Sequence, residues 1–363
     1  MAPPSWRARA RLVAGLAETW FRRPPGPTRV VLDVTRRCNL RCAMCRTWER
    51  PRAQELSATE IGAVLQRLDR LRWLDVTGGE PFVRGDIGDV LDAVAANTPA
   101  LEMLHFQTNG WAGDRIARST ARLRARTKAQ LVVTVSIDGP QALHDRIRGV
   151  AGSFARAIAT TRALASLEGV EVHVGTTITK LNADAMDDTW RALQHALPAW
   201  PRTRWHWNAM QLSSHFYANA QQAALHVPVD ALVREHLRAR GRPRTMVEAM
   251  ESAYLVNLAF VARGERSGIG CQALRSTMFI APEGDVLPCH IYDRPLGNVR
   301  ERDVLAIWHD AATLQARRDI EQLACGGCFS ACEAYPAIAG APLQAIARTG
   351  SRALRLLQEH ARG

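Results

Sequence analysis

Three cysteines, Cys38, Cys42 and Cys45, fall within eight residues near the start of the chain. Thiolates at such close spacing on one loop can converge on one metal centre, and cysteine thiolates hold iron–sulfur cubanes, normally four to a cluster. No fourth cysteine is nearby, so one iron would keep an open position for a substrate, as an open zinc position does. The alternatives are a zinc knuckle and three buried cysteines, although buried cysteines rarely fall at this spacing on an arginine-rich polar loop.

The other five cysteines lie late in the chain, at Cys271, Cys289, Cys325, Cys328 and Cys332. The first two bracket a hairpin-like segment with a Pro-Glu-Gly-Asp turn. A hairpin brings its ends together, so both thiols can face one site, and the following Cys-x2-Cys completes a four-thiolate set. The spacing alone also fits a four-cysteine zinc site.

Polar and glycine-rich segments follow three strand-like runs, at 77–81, 108–110 and 136–139. In parallel α/β sheets and barrels the site lies at the carboxyl ends of the strands. We therefore expect these segments to face one common cavity, together with the three-cysteine loop.

Six apolar, β-branched runs alternate with amphipathic segments, which predicts a parallel sheet with right-handed crossovers. The helix over Ser57–Leu71 begins with Ser-x-x-Glu, the form of a capping box. Six units are too few for a closed eight-stranded barrel, so a partial barrel and an open doubly wound sheet are the two alternatives. The strand-like runs are Val30–Val34, Trp73–Thr77, Met103–Thr108, Leu131–Ile137, Val170–Ile178 and Thr203–Asn208.

The pattern divides the chain into five parts. We expect an N-terminal amphipathic helix and linker over 1–27, an α/β domain over 28–215 and a helical connector over 216–262. A small α+β cluster-binding domain over 263–340 and a C-terminal helix over 341–363 complete it.

The order Cys-x3-Cys-x2-Cys after the first strand and Gly-Gly-Glu-Pro after the second resembles the radical S-adenosylmethionine superfamily, over about Val30 to Asn208. The resemblance implies a partial (β/α)6 TIM-like barrel and a [4Fe–4S] cluster on Cys38, Cys42 and Cys45. It also implies that S-adenosylmethionine chelates the fourth iron and yields a 5′-deoxyadenosyl radical that abstracts hydrogen from a substrate. Met44 stands where relatives carry an aromatic residue near the adenine, and a thioether can still pack on a ring face.

The same resemblance implies further contacts with S-adenosylmethionine. The segment Thr77-Gly78-Gly79-Glu80 would accept from the methionine ammonium, its glycines allowing close backbone approach. Arg148 would pair with the carboxylate, for which a guanidinium fork is suited. The alternatives are a surface ion pair for Arg148 and a plain turn at Asp138. The remaining predicted cofactor residues are Ser136 and Asp138 on the ribose, together with Asn109 and Ile178.

Cys-x12-Gly-x4-Cys over 271–289 resembles the opening hairpin of an auxiliary-cluster domain called SPASM, or of its shorter form, the twitch domain. The full domain uses seven cysteines for two clusters, whereas five here imply one auxiliary [4Fe–4S] cluster. The predicted ligands are Cys271, Cys289, Cys325 and Cys328, with Cys332 spare or substituting. Such a cluster would oxidise the substrate radical, assist cross-linking, ligate the substrate or relay electrons from a flavodoxin- or ferredoxin-type donor.

The substrate is expected to be a small molecule, a lipid or a peptide, since relatives with such domains modify all three. A small molecule or a lipid is favoured because no leader-binding domain precedes Val30. The aromatic, polar segment at the end of the sixth strand either lines the pocket or closes the barrel edge as core. Its predicted substrate residues are Trp207, Asn208, Ser213, His215 and Tyr217.

The formal net charge of +12 comes mostly from scattered arginines, without the aromatic-interleaved basic block of RNA-binding modules. A solvated basic surface is therefore favoured over a nucleic-acid-modifying enzyme, and a zinc or iron–sulfur interaction protein on the same scaffold is the other alternative. The chain lacks a secretory signal and any apolar run near the roughly 18–20 residues of a membrane span, so we expect it in the cytoplasm.

The N-terminal segment carries an apolar helical stripe with arginines beside it. Such a helix can cover the open edge of the barrel, which we favour because an open edge needs covering. Alternatively it lies in a membrane interface at the inner face, through residues 6–23, with its apolar side in the acyl boundary. The stripe is Trp6, Val13, Leu16, Ala17, Trp20 and Phe21, and the arginines are Arg7, Arg11, Arg22 and Arg23.

Overall fold

A computed structural model describes residues 24–52, 54–267, 269–325 and 327–360, together with residues 10, 13, 14 and 18. The predicted N-terminal stripe lies outside these described residues except for Val13, which is helical. Glu18, also helical, forms an ion pair with Arg70. Both interpretations of this segment, the edge cover and the membrane contact, therefore stay predictions.

The six predicted strands are present, and each pairs in parallel with its neighbour in the chain. A doubly wound sheet reverses its strand order at a switch point, whereas here the order runs without reversal. The partial (β/α)6 barrel is thus confirmed. Its strands are β1 Arg29–Asp33, β2 Trp73–Thr77, β3 Met103–Thr108, β4 Gln130–Ser136, β5 Val170–Ile178 and β6 Trp205–Ala209.

Twelve helices are described, and the first shows how the sequence sets its start. Ser57 accepts from the backbone of Glu60 while Glu60 reaches back to Ser57, which is the predicted capping box. The helix ends at Gln66 rather than at the predicted Leu71, which is buried beyond the helix end. The helices are α1 Ala58–Gln66, α2 Ile87–Asn97, α3 Gly113–Arg126, α4 Gln141–Arg148, α5 Ser153–Ala165, α6 Met186–Ala196, α7 Asp230–Ala239, α8 Met246–Val261, α9 Val304–His309, α10 Ala311–Glu321, α11 Ala331–Gly340 and α12 Pro342–His360. Short 3-10 turns lie at Thr47–Glu49, Pro81–Val83, Ala183–Ala185, Arg202–Arg204 and Ala220–Leu225.

The two faces of the barrel sheet differ in chemistry, as strand alternation requires. Alternate residues such as Leu74 and Leu104 are fully buried in the main apolar core with the helices. On the other face, Arg29 Nε lies 2.8 Å from Asp75 Oδ2, and His105 Nδ1 lies 2.8 Å from Asp75 Oδ1. The barrel interior is therefore held by a buried polar chain rather than by apolar packing alone.

The cluster-binding region extends this sheet. Its hairpin consists of β7 Thr277–Ile280 and β8 Asp285–Leu287, around the predicted turn, and β9 Gly297–Asn298 pairs with β8. Strand β7 also pairs in parallel with β1, which makes one nine-stranded sheet. The hairpin agrees with the prediction, but its pairing with β1 was not predicted. The barrel edge at β1 is thus covered by β7 of the cluster-binding region.

The other barrel edge, at β6, is covered by side chains. Glu251 of α8 accepts from the backbone nitrogen of Trp207 at 3.0 Å, and Arg240, just after α7, donates to the carbonyl of Trp205 at 3.1 Å. Arg240 Nη1 lies 3.7 Å from Glu251 Oε1, and Tyr335 of α11 donates to the same carboxylate.

No helix within the described ranges is both long and apolar enough to cross a bilayer.

Replacing Glu251 by Ala should destabilise the fold, because it leaves the buried Arg240 and the edge nitrogen of β6 without their partner. Removing one member of a buried pair costs about 3–5 kcal/mol, so we expect the thermal unfolding midpoint to fall by about 5 °C or more. The exposed Glu235 of α7, replaced by Ala, is the matched control and should leave the midpoint unchanged. Equal midpoints for the two variants would contradict this role of Glu251.

Candidate active site

A cavity with an empty volume of about 1180 Å³ opens at the carboxyl ends of the barrel strands. Its wall comes from both the barrel and the cluster-binding region. The predicted residues that line it are Cys38, Cys42, Met44, Cys45, Gly78, Gly79, Glu80, Asn109, Ser136, Arg148, Asn208, Tyr217 and Cys332.

The three-cysteine loop is held by the Gly-Gly-Glu segment that follows β2. Gly79 N donates to the carbonyl of Thr35 at 2.7 Å, and Glu80 N donates to that of Arg37 at 2.9 Å. A Cβ on Gly79 would lie 2.4 Å from the Arg37 carbonyl oxygen, and one on Gly78 would lie 2.6 Å from that of Thr35. The glycines therefore allow a close approach of the chain's own backbone, which fixes the start of the cysteine loop, and the approach predicted for the cofactor stays a prediction.

The cysteine sulfurs of the loop lie in an environment that suits cluster thiolates. Burial raises the pKa of Cys38 to about 12 and that of Cys42 to about 11, so binding of iron must release their protons. Hydrogen-bond donors near sulfur stabilise and tune thiolates bound to iron. The donors are Asn109 Nδ2 at 3.9 Å from Cys38 and Arg148 Nη1 at 3.7 Å from Cys42, whereas Cys45 Sγ donates to Thr47 Oγ1 at 3.5 Å.

The three-cysteine loop supplies the thiols that the predicted cluster needs. Within the described ranges, no three side chains of His, Cys, Asp or Glu lie close enough together to hold one metal ion. The three-cysteine loop thus offers thiols, polar neighbours and an adjoining cavity, which is what a cluster with one open iron requires.

Glu80 is buried on the cavity wall with its carboxylate fixed. It accepts from Asn109 N at 2.6 Å, from Thr108 Oγ1 at 2.9 Å and from Phe82 N at 3.2 Å. Burial raises the pKa of Glu80 to about 7, although these hydrogen bonds oppose the shift. A cation bound beside it would favour the ionised form, so the site suits the predicted ammonium group.

Arg148 is oriented by Asp138. Arg148 Nε lies 2.6 Å from Asp138 Oδ2, and the two side chains form an ion pair without the geometry of a hydrogen bond between these atoms. The other carboxylate oxygen, Asp138 Oδ1, accepts from Thr177 N at 2.9 Å. Burial lowers the pKa of Arg148, but the charges and hydrogen bonds of Asp138 and Cys42 together outweigh burial and raise that pKa overall. Asp138 is fully buried and pairs with Arg148, which gives it a positioning role, and its predicted contact with the ribose stays a prediction. Arg148 lines the cavity and is not the alternative surface pair.

Three other predicted residues lie away from the cavity wall. The hydroxyl of Thr77 accepts from Gln107 at 2.8 Å, and Ile178 is buried in the main core. Trp207 stacks on His236 of α7, with ring centroids 3.8 Å apart. Successive strand residues face opposite sides, so Asn208 lines the cavity while its neighbour Trp207 belongs to the core. For Trp207, the alternative interpretation of this aromatic segment as core therefore holds.

Ser213 and His215 hold another residue in place instead of lining the cavity. Ser213 Oγ donates to the carbonyl of His290 at 2.7 Å, and His215 Nε2 donates to that of Cys289 at 3.0 Å. His290 itself lines the cavity and was not predicted. The signal for it is its place directly after Cys289, one of the predicted cluster ligands.

The late cysteines divide between two surfaces. Cys271 and Cys328 line an outer groove, whereas Cys332 lines the main cavity. Cys271 Sγ accepts from Ala273 N at 3.4 Å, and Cys289 Sγ accepts from Tyr292 N at 3.3 Å and Ile291 N at 3.4 Å. Backbone donors aimed at sulfur are typical of cluster thiolates, so this region also fits the predicted auxiliary cluster.

Replacing Gly79 by Ala should displace the cysteine loop, because the new Cβ would overlap the Arg37 carbonyl. Iron in the reconstituted protein should fall from about eight to about four per chain, as one of two cubanes is lost. Gly88 of α2, replaced by Ala, is the matched control, since its Cβ would meet nothing within 4 Å. Full iron loading of the Gly79 variant, with an unchanged electron paramagnetic resonance spectrum, would contradict this role.

Comparison with known proteins agrees with both regions. The radical SAM superfamily model matches residues 32–196, and the SPASM model of an iron–sulfur cluster-binding domain matches residues 271–332. The mycofactocin maturase MftC of Mycobacterium ulcerans is 28% identical over 83% of this chain and 80% of its own length. The AdoMet-dependent heme synthase of Oleidesulfovibrio alaskensis is 26% identical over 82% of this chain and 79% of its own length.

Among solved structures, Streptococcus suis SuiB bound to the precursor peptide SuiA superposes with a TM-score of 0.59 at 16% identity. The match covers 85% of this chain and 70% of SuiB, and at this identity it shows the fold alone. The two matched domains make this chain an enzyme that uses S-adenosylmethionine and a [4Fe–4S] cluster in its barrel, with an auxiliary iron–sulfur cluster in the domain that follows. The chain thus combines a radical SAM domain with a SPASM-type domain, and one nine-stranded sheet joins the two.

Proposed function

We propose that this enzyme cleaves S-adenosylmethionine reductively at a [4Fe–4S] cluster held by Cys38, Cys42 and Cys45, and that hydrogen is then abstracted from an organic biosynthetic substrate. The observation that carries the proposal is the shared cavity, which places these cysteines, Glu80 and Arg148 on one continuous wall. When bound, the cluster and S-adenosylmethionine supply a 5′-deoxyadenosyl radical.

The chain's own residues bind and orient the cofactor in this proposal. Glu80 accepts from the ammonium group, and Arg148, held by Asp138, pairs with the carboxylate. Asn109 and Ser136 add polar contacts from the same wall.

Apolar side chains pack around the cysteine loop and keep bulk water from the reacting centre. Leu40, Met44, Ile147 and Met210 form one buried cluster together with Cys42. An environment of low polarity strengthens the charge pairs of the site and protects a carbon radical from side reactions.

The auxiliary cluster is assigned to Cys271, Cys289, Cys325 and Cys328, and Cys332 lies on the cavity side. Cys328 is exposed, and the outer groove that it lines with Cys271 gives the cluster access to the protein surface. The cluster would accept an electron from the substrate radical, assist cross-linking or exchange electrons with a flavodoxin- or ferredoxin-type donor.

The substrate remains one of three classes in this proposal: peptide, small molecule or lipid. The relatives named above are a maturase, a heme synthase and a protein bound to a precursor peptide. The maturase and the heme synthase leave both a peptide and a small molecule in the proposal, and the SuiB match, which shows the fold alone, adds no weight to either.

Replacing Cys38, Cys42 and Cys45 together by Ala should abolish formation of 5′-deoxyadenosine with dithionite as the reductant. The three thiolates are the ligands of the cluster that cleaves the cofactor, whereas the auxiliary cluster keeps its own ligands. Chromatography of 5′-deoxyadenosine and low-temperature paramagnetic resonance measure both effects. Undiminished cleavage in the triple variant would contradict the proposal.

Replacing Cys271 and Cys289 by Ala should lower the iron content from about eight to about four per chain, because only the auxiliary cubane loses ligands. Binding of S-adenosylmethionine, measured by equilibrium dialysis, should persist. About four irons together with zinc in the unmutated protein would instead support the alternative of a four-cysteine zinc site.

A further inference from the structure

His290 is held rigidly on the cavity wall. Its carbonyl accepts from Ser213 Oγ at 2.7 Å, and the carbonyl of the preceding residue accepts from His215. The rings of Phe216 and Tyr217 pack edge-on against the imidazole, each with its centroid 6.0 Å away. The backbone and the ring plane of His290 are therefore both fixed before any ligand binds.

Among the residues that the structure describes, the imidazole nitrogens nevertheless have no hydrogen-bond partner. His290 is 2% exposed, and both ring nitrogens are buried without a partner. Asn208, at the end of β6, lines the same cavity, and its buried Oδ1 also lacks a partner. Buried polar groups are nearly always hydrogen-bonded, so two such residues on one cavity wall indicate a group that binds there.

The charges of the cavity limit what that group is. Glu80 and Arg148 are the charged residues among those that line it, and the protein's own atoms engage both. A carboxylate or a phosphate beyond the cofactor would find no unpaired cation along this wall. An imidazole and an amide oxygen together offer a donor and acceptors, which match an uncharged group that both donates and accepts.

We infer that His290 and Asn208 bind the substrate through an uncharged amide or hydroxyl group, on the wall formed by β6 and the cluster-binding domain. The inference rests on the proposed function and deepens it, because it selects the chemistry of the substrate near the reacting carbon. Peptide backbones supply amides and polyols supply hydroxyls, so the experiment separates these two sources.

The test uses the reconstituted full-length holoenzyme, with S-adenosylmethionine, dithionite and substrates perdeuterated at carbon. The separate pools are a capped peptide digest, a mixture of sugars and polyols, and a mixture of fatty acids. Abstraction breaks a carbon–deuterium bond of the bound molecule and forms one on C5′, and the substrate carbon keeps the unpaired electron. Mass spectrometry then gives the deuterated fraction of 5′-deoxyadenosine.

We expect deuterium from the peptide or the polyol pool and none from the fatty acids. His290→Leu and Asn208→Leu should each lower the deuterated fraction by about tenfold, because each removes one hydrogen-bonding partner of the substrate. His290→Gln keeps a donor and an acceptor and should retain more of it. The exposed His226, replaced by Leu, is the matched control and should not change it.

The inference would be overturned if 5′-deoxyadenosine took deuterium from the fatty acids alone or from no pool. It would also be overturned if the deuterated fraction were undiminished in both leucine variants. Iron analysis of each variant shows whether the cluster beside Cys289 is intact. If His290→Leu loses iron, the deuterated fraction obtained with Asn208→Leu decides whether the inference holds. Absence of any 5′-deoxyadenosine in the unmutated enzyme would instead refute the proposed function, and the inference with it. Deuterium-free 5′-deoxyadenosine overturns the inference alone.

Discussion

The parallel pairing of β7 with β1 is the constraint on which the rest of this molecule depends. Strand β1 runs directly into the three-cysteine loop, and the hairpin of β7 and β8 runs into Cys289 and His290. Because Val31 of β1 pairs with Phe279 of β7, the ends of both segments are fixed in register within one sheet. Residues far apart in the chain therefore line one cavity, and the second domain forms part of the active-site wall.

Buried charges support this arrangement. Arg29 at the start of β1 pairs with Asp75 inside the barrel and lies 3.6 Å from Glu333 of α11, the residue after Cys332. Burial raises the pKa of Glu333 to about 7, so its charge depends on Arg29 nearby. Asp138 and Arg148 form a similar pair at the rim. Such pairs contribute little net stability, but a change in either partner is costly, which makes them effective in fixing position.

Much of the barrel could be predicted because its signals are local. The strands from Trp73 and Met103 match their predicted bounds, and the cysteine spacing identifies its own loop. The pairing of β7 could not be predicted, since a four-residue strand carries no mark of a partner some 250 residues earlier. The contacts of Asp138 and Trp207 could not be predicted either, because they depend on the direction in which each side chain points. Asp138 pairs with Arg148, and Trp207 packs on α7. His290 shows the same limit, as its importance comes from nitrogens that the fold leaves unpaired.

The central claim is that one cavity holds a cluster on the early cysteines, with a second cluster behind the wall of the adjoining domain. Anomalous diffraction at the iron edge, from anaerobic crystals of the reconstituted enzyme, locates the irons directly. We expect two compact groups of iron peaks, one at Cys38, Cys42 and Cys45 inside the cavity and one at Cys271, Cys289, Cys325 and Cys328. A cavity without iron at the early cysteines, or a single group of peaks with zinc at the late ones, would contradict it.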